Sequence, residues 1–280
     1  MEVVSKPDIN DIEIPLLLEA IFQRYGYDFR SYSKAHVKRR ILQRLRLSGL
    51  ESVSMLQHRV LADPSFASEV LKDLSINVTE MFRDPKFYAA VREKVVPLLK
   101  TWSYCKIWHA GCSTGEEVYS MAILLSEEGV YDRTQLYATD FNYDVVKQAR
   151  EGIYPIQQMK RHAMNYVSSG ARASFTDHFY AKYDSAIMNN NLKKNIVWAH
   201  HNLVTDGDFT ETNMIVCRNV LIYFNKDLQN KVIRLFHQSL VRGGILCLGH
   251  KETLMFSEYG KYFEALDEGQ RIYKKRYATE

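Results

Sequence analysis

The sequence lacks the features that mark secreted, metal-binding and membrane-spanning chains. Its four cysteines form no C-x-x-C pair and have no zinc-type spacing, so we expect buried, reduced thiols in a cytoplasmic protein without a metal site. The N-terminal stretch has no basic segment followed by an apolar one, which predicts no signal peptide. No apolar run reaches the roughly 18 residues that a membrane span needs, so we expect no membrane insertion.

The sequence also lacks a strong charge bias. Its 280 residues have a formal net charge of +4, with 46% hydrophobic and 25% charged residues. This composition is typical of a globular chain that buries a core, and so small a net charge does not by itself indicate a nucleic-acid partner. The length allows one large domain or two smaller ones.

The pattern of apolar residues changes from helical to strand-like after about residue 90. Residues 12–75 show helical apolar spacing, with Gly26 and Gly49 as predicted helix ends. Later, short apolar runs such as CKIWHAG, QLYATD and MIVCRNV alternate with predicted helices at 114–128, 142–151 and 226–241. Alternation of this kind predicts an α/β fold in which helices cover both faces of a parallel sheet. We therefore expect a helical domain at 1–75 and a sheet domain at 76–280.

Two stretches depart from this alternation. Between Gly152 and about Lys194 the sequence is polar, which predicts an insertion at about 157–194 with a helix near 157–166 and short strands after it. The final run GQRIYKKRY predicts an edge strand whose charges face water.

A glycine-containing turn follows the first predicted strand. Gly111 and Gly115 lie between strand and helix in HAGCSTGEEVYS, where a ligand can approach the backbone closely. Asp140 ends the second predicted strand, and an acid at that position can accept hydrogen bonds from both hydroxyls of a ribose. Together the turn and the acid predict a ligand with an adenosyl group.

Two glutamates open the helix after this turn. Glu116 and Glu117 would repel the pyrophosphate of NAD or FAD, whereas they suit a ligand that carries an ammonium and a sulfonium group. The alternative is that they only complement the helix dipole. In combination with the turn and Asp140, they favour S-adenosylmethionine as the cofactor.

Polar residues also follow the third and fourth predicted strands. Asn202 could read the adenine edge or serve as a turn residue. Asn219 and Tyr223 follow the fourth strand, where the methyl group would be presented, although Tyr223 could equally be a core aromatic whose hydroxyl reaches the surface. The Asn/Asp-Pro-Pro-aromatic signature of methylases that act on base amino groups is absent, which disfavours a nucleic-acid acceptor.

A basic helix is predicted in the N-terminal part. From Arg30 to Arg46 the chain has seven Lys or Arg residues and no Asp or Glu. Helical spacing places Arg39 and Arg46 roughly opposite the apolar Val37, with Arg40 beside them. This pattern has two interpretations: a solvated helix face, or a docking surface for an acidic partner such as nucleic acid or a glutamate-bearing helix.

Several motifs, taken in order along the chain, resemble the CheR family of chemotaxis receptor methyltransferases. They are NVTEMFRDP, AGCSTGEEVYS, CRNVLIYF and LGHKETL. The resemblance implies an N-terminal all-α domain and a Rossmann-like class I methyltransferase domain that carries a small inserted antiparallel β-subdomain. It also implies transfer of a methyl group from S-adenosylmethionine to glutamate carboxylates of chemoreceptors, which yields methyl esters and S-adenosylhomocysteine. The expected partners are the receptors' cytoplasmic methylation helices, and the expected state is a monomer.

The resemblance also assigns roles to individual residues. Arg83 and Tyr223 would flank the reacting methyl group, and we expect them to position the acceptor rather than to transfer protons. An alternative for Arg83 is a salt bridge with Asp84 or a nearby glutamate. The predicted docking residues for the receptor helices are Arg39, Arg40 and Arg46. The predicted cofactor contacts are Asn77, Thr79, Arg83, Gly111, Glu116, Glu117, Asp140, Asn202, Leu203, Arg218 and Asn219.

The sequence departs from the family pattern in two places. Lys251 stands where the family's GHSE motif has serine. The insertion lacks the glycine-rich pattern expected of members that bind a pentapeptide at the receptor's C-terminus. Two other functions compete with receptor methylation: methylation of another protein or of nucleic acid, and a non-catalytic signalling module that binds the cofactor.

Overall fold

The computed structural model describes residues 8–75 and 78–277. These residues form two compact units. The first, here called the helical unit, contains 8–75 together with Ile222–Gln229, and the second, here called the α/β unit, contains 78–221 and 230–277. The predicted cofactor contact Asn77 lies outside the described residues.

Four helices make up most of the described helical unit. They are α1 (Ile9–Tyr25), α2 (Lys34–Leu47), α3 (Val53–Ala62) and α4 (Pro64–Leu74). Gly26 ends α1 in the left-handed conformation, as the sequence predicts. Asp63 caps α4 by accepting the backbone N–H groups of Ser65 and Phe66, next to a proline in the first helical turn. The buried residues include Leu17, Ile21, Ile41, Leu56 and Val60.

A second piece of chain completes the helical unit. The ring of Phe224 packs edge-on against Tyr32 at a centroid distance of 5.1 Å, and the two residues form an isolated β-bridge. The backbone N–H of Ser33 donates to the carbonyl of Tyr223 at 2.8 Å. The segment Ile222–Gln229 is therefore held by the start of α2, although it lies far away in sequence.

The α/β unit contains a seven-stranded sheet and a separate three-stranded sheet. The strands are β1 (Cys105–Ala110), β2 (Thr134–Asp140), β3 (Ile153–Pro155), β4 (Phe179–Lys182), β5 (Ser185–Met188), β6 (Ile196–His200), β7 (Thr212–Cys217), β8 (Leu240–Leu248), β9 (Phe263–Asp267) and β10 (Ile272–Lys275). The helices are α5 (Pro85–Ala90), α6 (Val96–Leu99), α7 (Glu116–Glu127), α8 (Tyr143–Glu151), α9 (Met159–Ser168), α10 (Asn190–Lys193) and α11 (Lys226–Ser239). A π-helical turn at Val91–Val95 joins α5 to α6, and α11 begins within the helical unit.

The large sheet has the strand order β6-β2-β1-β7-β8-β10-β9. Its first five strands are mutually parallel, which confirms the predicted alternation of strands and helices. Strand residues such as Ile107, Leu136, Met214 and Ile245 are fully buried. Near-continuous apolar strands of this kind are typical of parallel sheets that are covered on both faces.

The predicted edge position of the last strand is wrong. Strand β10 lies between β8 and β9 and is antiparallel to both, so β9 forms the edge. Lys275, which was expected to face water, is half-buried and donates to the carbonyls of His237 and Leu240 at 2.7 Å each. The β9–β10 hairpin folds back on β8, and both backbone ladders of β10 are thereby satisfied.

The small sheet lies within the stretch that follows α8. Its strand order is β3-β5-β4, and both pairings are antiparallel. Strand β3 precedes α9, so the sheet takes its first strand from Ile153–Pro155, before the predicted helix.

The cysteines and the helices of the described residues can be compared with the expectations from the sequence. All four cysteines are buried and free, as the sequence predicts. No helix within 8–75 or 78–277 combines the length and the apolar character that a bilayer span requires.

Candidate active site

The loops that follow β1, β2, β6 and β7 lie at one edge of the large sheet. The four strands are neighbours and parallel, so their carboxyl ends meet there. Residues Asp140 and His200, which end β2 and β6, are register partners. Ligands of open parallel sheets bind at this edge.

The glycine turn after β1 packs closely against the loop after β7. The backbone N–H groups of Gly111 and Cys112 both donate to the carbonyl of Thr139 at 2.9 Å. Gly111 has φ +82, and a Cβ placed on it would lie 2.6 Å from a methyl carbon of Val220. Only glycine fits this position, because any side chain would push the two loops apart.

Ser113 and Gly115 complete the turn. Ser113 has φ 50 and donates its backbone N–H to the carboxylate of Asp140 at 3.0 Å. Its hydroxyl oxygen is buried and has no hydrogen-bond partner among the described residues. Gly115 has φ +92 at the start of α7. An unpaired buried hydroxyl beside a glycine turn fits a site that a polar ligand completes.

Asp140 is fixed in place by backbone donors. One carboxylate oxygen accepts from Ser113 and the other accepts the N–H of Asn142 at 3.0 Å. Burial raises the pKa of Asp140 above its ordinary value, despite these hydrogen bonds. A carboxylate has about four acceptor positions, so Asp140 retains lone pairs for the two hydroxyls of a ribose.

Asn202 and Leu203 are both buried just after β6. The side-chain oxygen of Asn202 accepts the backbone N–H of Val204 at 2.9 Å, which forms a local turn. Its own N–H donates to Asp206 at 2.9 Å. Asn202 is thus a turn residue, and its amide NH₂ has no partner among the described residues.

Arg83 lies between two residues with strained backbones. Phe82 has φ 53 and Asp84 has φ 59, conformations that non-glycine residues rarely adopt. Arg83 is half-buried as a residue, and its guanidinium donates to the carbonyl of Val78 at 3.0 Å. The expected alternative, a salt bridge from Arg83 to Asp84 or a nearby glutamate, is wrong, because Arg83 forms no ion pair within the described residues.

The buried guanidinium of Arg218 holds the Arg83 segment in place. It forms ion pairs with Glu117 at 2.9 Å and with Asp84 at 2.7 Å. It also donates to the carbonyl of Arg83 at 3.3 Å, and its carbon lies 4.1 Å from the ring centroid of Phe87. These contacts fix the backbone at Arg83 and directly after it, and the ion-pair partner of Asp84 is Arg218 rather than Arg83.

The two glutamates at the start of α7 differ in their surroundings. For Glu117, burial acts to raise the pKa, but the hydrogen bond with His109 and the charge of Arg218 outweigh it and hold the pKa below its ordinary value. For Glu116, burial raises the pKa, although the hydroxyl of Thr114 donates to its carboxylate at 2.6 Å. Glu117 is therefore the ionised partner of Arg218.

Glu252 is a site residue that sequence analysis missed. Its buried carboxylate accepts three backbone N–H groups, from Asn219 at 3.1 Å, Val220 at 2.9 Å and Gly249 at 2.5 Å. Asn219 has φ 62, so the carboxylate stabilises a strained residue two positions after the end of β7. Glu252 is the glutamate of the LGHKETL motif, and its place in that motif could have indicated it as a site residue.

Two further predicted site residues, Thr79 and Tyr223, are described by their own surroundings. Thr79 is half-buried, with no hydrogen bond among the described residues. Tyr223 belongs to the helical unit, where its ring packs edge-on against His36 at 5.4 Å. Its position relative to Arg83 is therefore a prediction and no more.

Five basic residues of α2 after its first position differ in their ion pairs. Lys38 and Arg44 form ion pairs with acidic residues of the helical unit. Arg39 and Arg46 are exposed and Arg40 is half-buried, and none of the three has an ion pair within the described residues. These three arginines keep their charges available to a partner.

The features of this sheet edge define a class of protein. A glycine turn after β1, a fixed acid at the end of β2 and polar loops after β6 and β7 fit a nucleoside ligand bound across the carboxyl ends. The described residues contain no group of three or more His, Cys, Asp or Glu that could hold a metal ion. The α/β unit is that of a class I S-adenosylmethionine-dependent methyltransferase.

Comparison with known families identifies the group within that class. The family model "CheR methyltransferase, SAM binding domain" matches residues 77–269, and "CheR methyltransferase, all-alpha domain" matches 12–75. The chain therefore belongs to the CheR methyltransferase family, and its cofactor is S-adenosylmethionine.

Individual relatives extend over most of the chain. The chain is 53% identical to "Putative methyltransferase Cher3" of Pseudomonas putida, over 95% of its own length and 97% of the relative. It is 30% identical to "Chemotaxis protein methyltransferase" of Listeria monocytogenes, over 84% and 88% of the two chains. A protein with the same name from Salmonella typhimurium is 27% identical over 98% and 93%.

Proposed function

We propose that this enzyme methylates glutamate carboxylates on the cytoplasmic helices of chemoreceptors and forms methyl esters. Several relatives carry the name chemotaxis protein methyltransferase, which supports a receptor as the acceptor. The observation that carries the proposal is the setting of Arg83. Its backbone is fixed by Arg218, whereas its guanidinium is free of ion pairs among the described residues and can engage a carboxylate.

The acceptor chemistry requires no general base. A glutamate side chain has a reference pKa of about 4.3, so it is ionised and nucleophilic at neutral pH. S-adenosylmethionine supplies an electrophilic methyl group on a positively charged sulfonium. Opposite charges cancel during the transfer, which makes exclusion of water and correct alignment the main tasks of the protein.

Arg83 is assigned to positioning of the acceptor. The planar fork of a guanidinium matches the two oxygens of a carboxylate. A pairing that is too tight would stabilise the ground state and slow the attack, so Arg83 should orient the carboxylate without burying it. Tyr223 is assigned as its neighbour at the reacting methyl group.

The remaining assignments concern the cofactor. Asp140 would hold the ribose, and Asn202 with Leu203 would border the adenine. Arg218 would contribute through its backbone, because its two terminal nitrogens are occupied by Glu117, Asp84 and the carbonyl of Arg83. The other assigned contacts are Asn77, Thr79, Arg83, Gly111, Glu116, Glu117 and Asn219.

The three arginines of α2 without ion pairs are assigned to the acceptor. A helix that carries several glutamates is acidic, and Arg39, Arg40 and Arg46 present positive charge that no acid of the described chain neutralises. Such an attraction should weaken with salt, since exposed charges are screened over about 8–10 Å at physiological ionic strength.

One labelling experiment tests the proposal. The enzyme is incubated with S-adenosylmethionine labelled in the methyl group and with receptor-rich membranes, and the product is then treated with alkali. Carboxyl methyl esters release volatile labelled methanol, which is the expected result. Label that resists alkali would indicate an amine or base acceptor, and absence of label despite cofactor binding would indicate a non-catalytic module.

A further inference from the structure

A cavity of about 420 Å³ lies in the α/β unit beside the carboxyl ends of β7 and β8. Its lining includes Lys86, Phe87, Arg218, Leu248, His250 and Gln270. None of these residues except Arg218 is among the expected cofactor contacts or the catalytic assignments.

The strand order places the cavity on the other side of β7 from the cofactor contacts that follow β1, β2 and β6. Strands β6, β2 and β1, which precede the predicted cofactor residues, lie on one side of β7, whereas β8 and β10 lie on the other. Neighbouring strands are about 4.8 Å apart, so the cavity is one or two strands away from the cofactor loops along the same edge. An acceptor that meets the methyl group beyond β7 would come from this side.

Three polar side chains of the cavity lining are unpaired among the described residues: the exposed Lys86 and His250, and the half-buried Gln270. The Nε atom of Arg218 is buried and is also unpaired among the described residues. Asp84, the acid on the cavity wall, is already paired with Arg218 at 2.7 Å.

The remaining walls are apolar. Phe87 and Leu248 are fully buried residues whose surfaces border the cavity. A ligand with a short apolar stem and a terminal carboxylate matches apolar walls combined with unpaired donors. A glutamate side chain has this chemistry, and a cavity of this size is large enough for it.

We propose that this cavity is the acceptor pocket and that Lys86 and His250 recognise a carboxylate-bearing side chain of the acceptor there. The inference rests on the proposed function, since it takes the acceptor to be a glutamate. Arg218 connects the pocket to Arg83: one guanidinium forms part of the cavity lining and also binds the carbonyl of Arg83. A carboxylate that enters the pocket would therefore be bound next to the segment that positions the reacting group.

Steady-state kinetics with receptor-rich membranes test the recognition step. Lys86→Ala should raise KM for the acceptor about tenfold, because a charge-assisted hydrogen bond is lost, while kcat and the cofactor Kd stay unchanged. Lys86→Arg should restore most of the affinity, and His250→Ala should raise KM in the same direction. Lys160→Ala is the matched control, because Lys160 is an exposed lysine of α9 outside the cavity.

Three kinetic outcomes would overturn the proposal. The first is an unchanged acceptor KM in both Lys86→Ala and His250→Ala. The second is a loss of cofactor affinity in Lys86→Ala with a normal acceptor KM, which would assign the cavity to the cofactor. The third is an equal rise of the acceptor KM in Lys160→Ala, which would show that the effect comes from the overall surface charge and not from the cavity.

A binding experiment separates this proposal from the proposed function. N-acetyl-glutamate α-amide is titrated into the full-length protein while the imidazole signals of His250 are followed by NMR, with N-acetyl-glutamine α-amide as the uncharged control. Selective shifts with the glutamate compound, lost in Lys86→Ala, support the pocket even if receptor membranes are not labelled. Labelled membranes without such shifts would sustain the methylation and overturn the pocket.

Discussion

The carboxylate of Glu252 accepts the backbone N–H of Asn219 at 3.1 Å and so joins the loop after β8 to the first strained residue after β7. The same carboxylate binds the N–H groups of Val220 and Gly249. A Cβ on Gly249 would lie 2.7 Å from the nitrogen of Asn219, so the close approach of the two loops depends on this glycine. The backbone that should face the methyl group is thus set by a residue 33 positions away.

Replacement of Glu252 by glutamine should lower kcat at least tenfold and destabilise the fold by about 1–3 kcal/mol. The glutamine NH₂ would face backbone N–H donors, which leaves buried donors unpaired. Thermal unfolding and initial rates measure the two effects. Glu258→Gln, at an exposed position in the same loop, is the control and should leave both unchanged. Full activity in Glu252→Gln would show that Asn219 does not need this support.

Replacement of Arg83 by alanine should leave the fold intact and reduce turnover about 100-fold or more. The side chain has one hydrogen bond, to a carbonyl, so its loss should change the free energy of unfolding by no more than about 0.5 kcal/mol. Misalignment of the acceptor should lower the rate. Chemical denaturation and the alkali-labile assay measure both, with the exposed Arg172→Ala as control. Normal methyl transfer in Arg83→Ala would remove the positioning role.

Cofactor affinity should fall as the pH is lowered. The fall should begin at a higher pH than it would if Asp140 had the pKa of an ordinary aspartate. We expect the ribose hydroxyls of the cofactor to donate to the ionised form of Asp140, whose pKa burial raises above the usual 3.8. Below that raised pKa the affinity should fall by up to about tenfold per pH unit, because protonation must be reversed on binding.

Calorimetric titration of S-adenosylmethionine at several pH values tests this dependence. Asp140→Asn should bind more weakly at neutral pH and should lose this part of the pH profile. A profile that is the same in wild type and Asp140→Asn would assign the titration to another group, such as Glu116.

Replacement of Gly115 by alanine should destabilise the protein more than the same change at Gly129. Both glycines have positive φ, +92 and +69, so both alanines pay the cost of a left-handed backbone, about 1 kcal/mol. Only at Gly115 would the new Cβ meet other atoms, at 2.9 Å from Ala149 and 3.1 Å from Trp198. The expected excess is about 1–3 kcal/mol in unfolding free energy, together with weaker cofactor binding. Equal losses at the two sites would show that the crowding relaxes freely.

Charge reversal at Arg39 and Arg46 should raise the acceptor KM and flatten its dependence on salt. These arginines have no ion pair within the described chain, so their reversal should act on the partner and leave cofactor affinity unchanged. Rates measured between low and physiological ionic strength give the slope. Arg234→Glu, an exposed site of α11, is the control. A salt slope that is the same in the variant and wild type would leave α2 as a solvated surface.

Local sequence patterns predicted the secondary-structure elements better than they predicted which strands pair with each other. The alternation of apolar runs with helical segments gave β1, β2, β6 and β7 in their parallel arrangement, because both faces of these strands must be apolar. The final strand reads as an edge strand since its lysines are polar, but its place between β8 and β9 depends on a hairpin fold that no local pattern encodes.

Candidate site residues could be predicted from the sequence where a short motif is enough to suggest their role. Asp140 and the glycine turn follow directly from strand ends and backbone geometry. The contacts of Arg218 and Glu252 were not predictable, because their partners lie 134 and 33 residues away and become neighbours only when β7 enters the sheet. Buried ion networks of this kind are a property of tertiary structure.

The packing of Phe224 against Tyr32 also affects the design of fragments of this protein and of hybrids with other family members. A fragment that begins after residue 75 keeps the strands of the large sheet, but it removes the surface on which residues 222–229 rest. The catalytic assignment Tyr223 lies in that segment, only four positions after Asn219. Residues 8–75 therefore do not form the helical unit by themselves. A hybrid that joins them to another family member must also contain residues 222–229 of this chain.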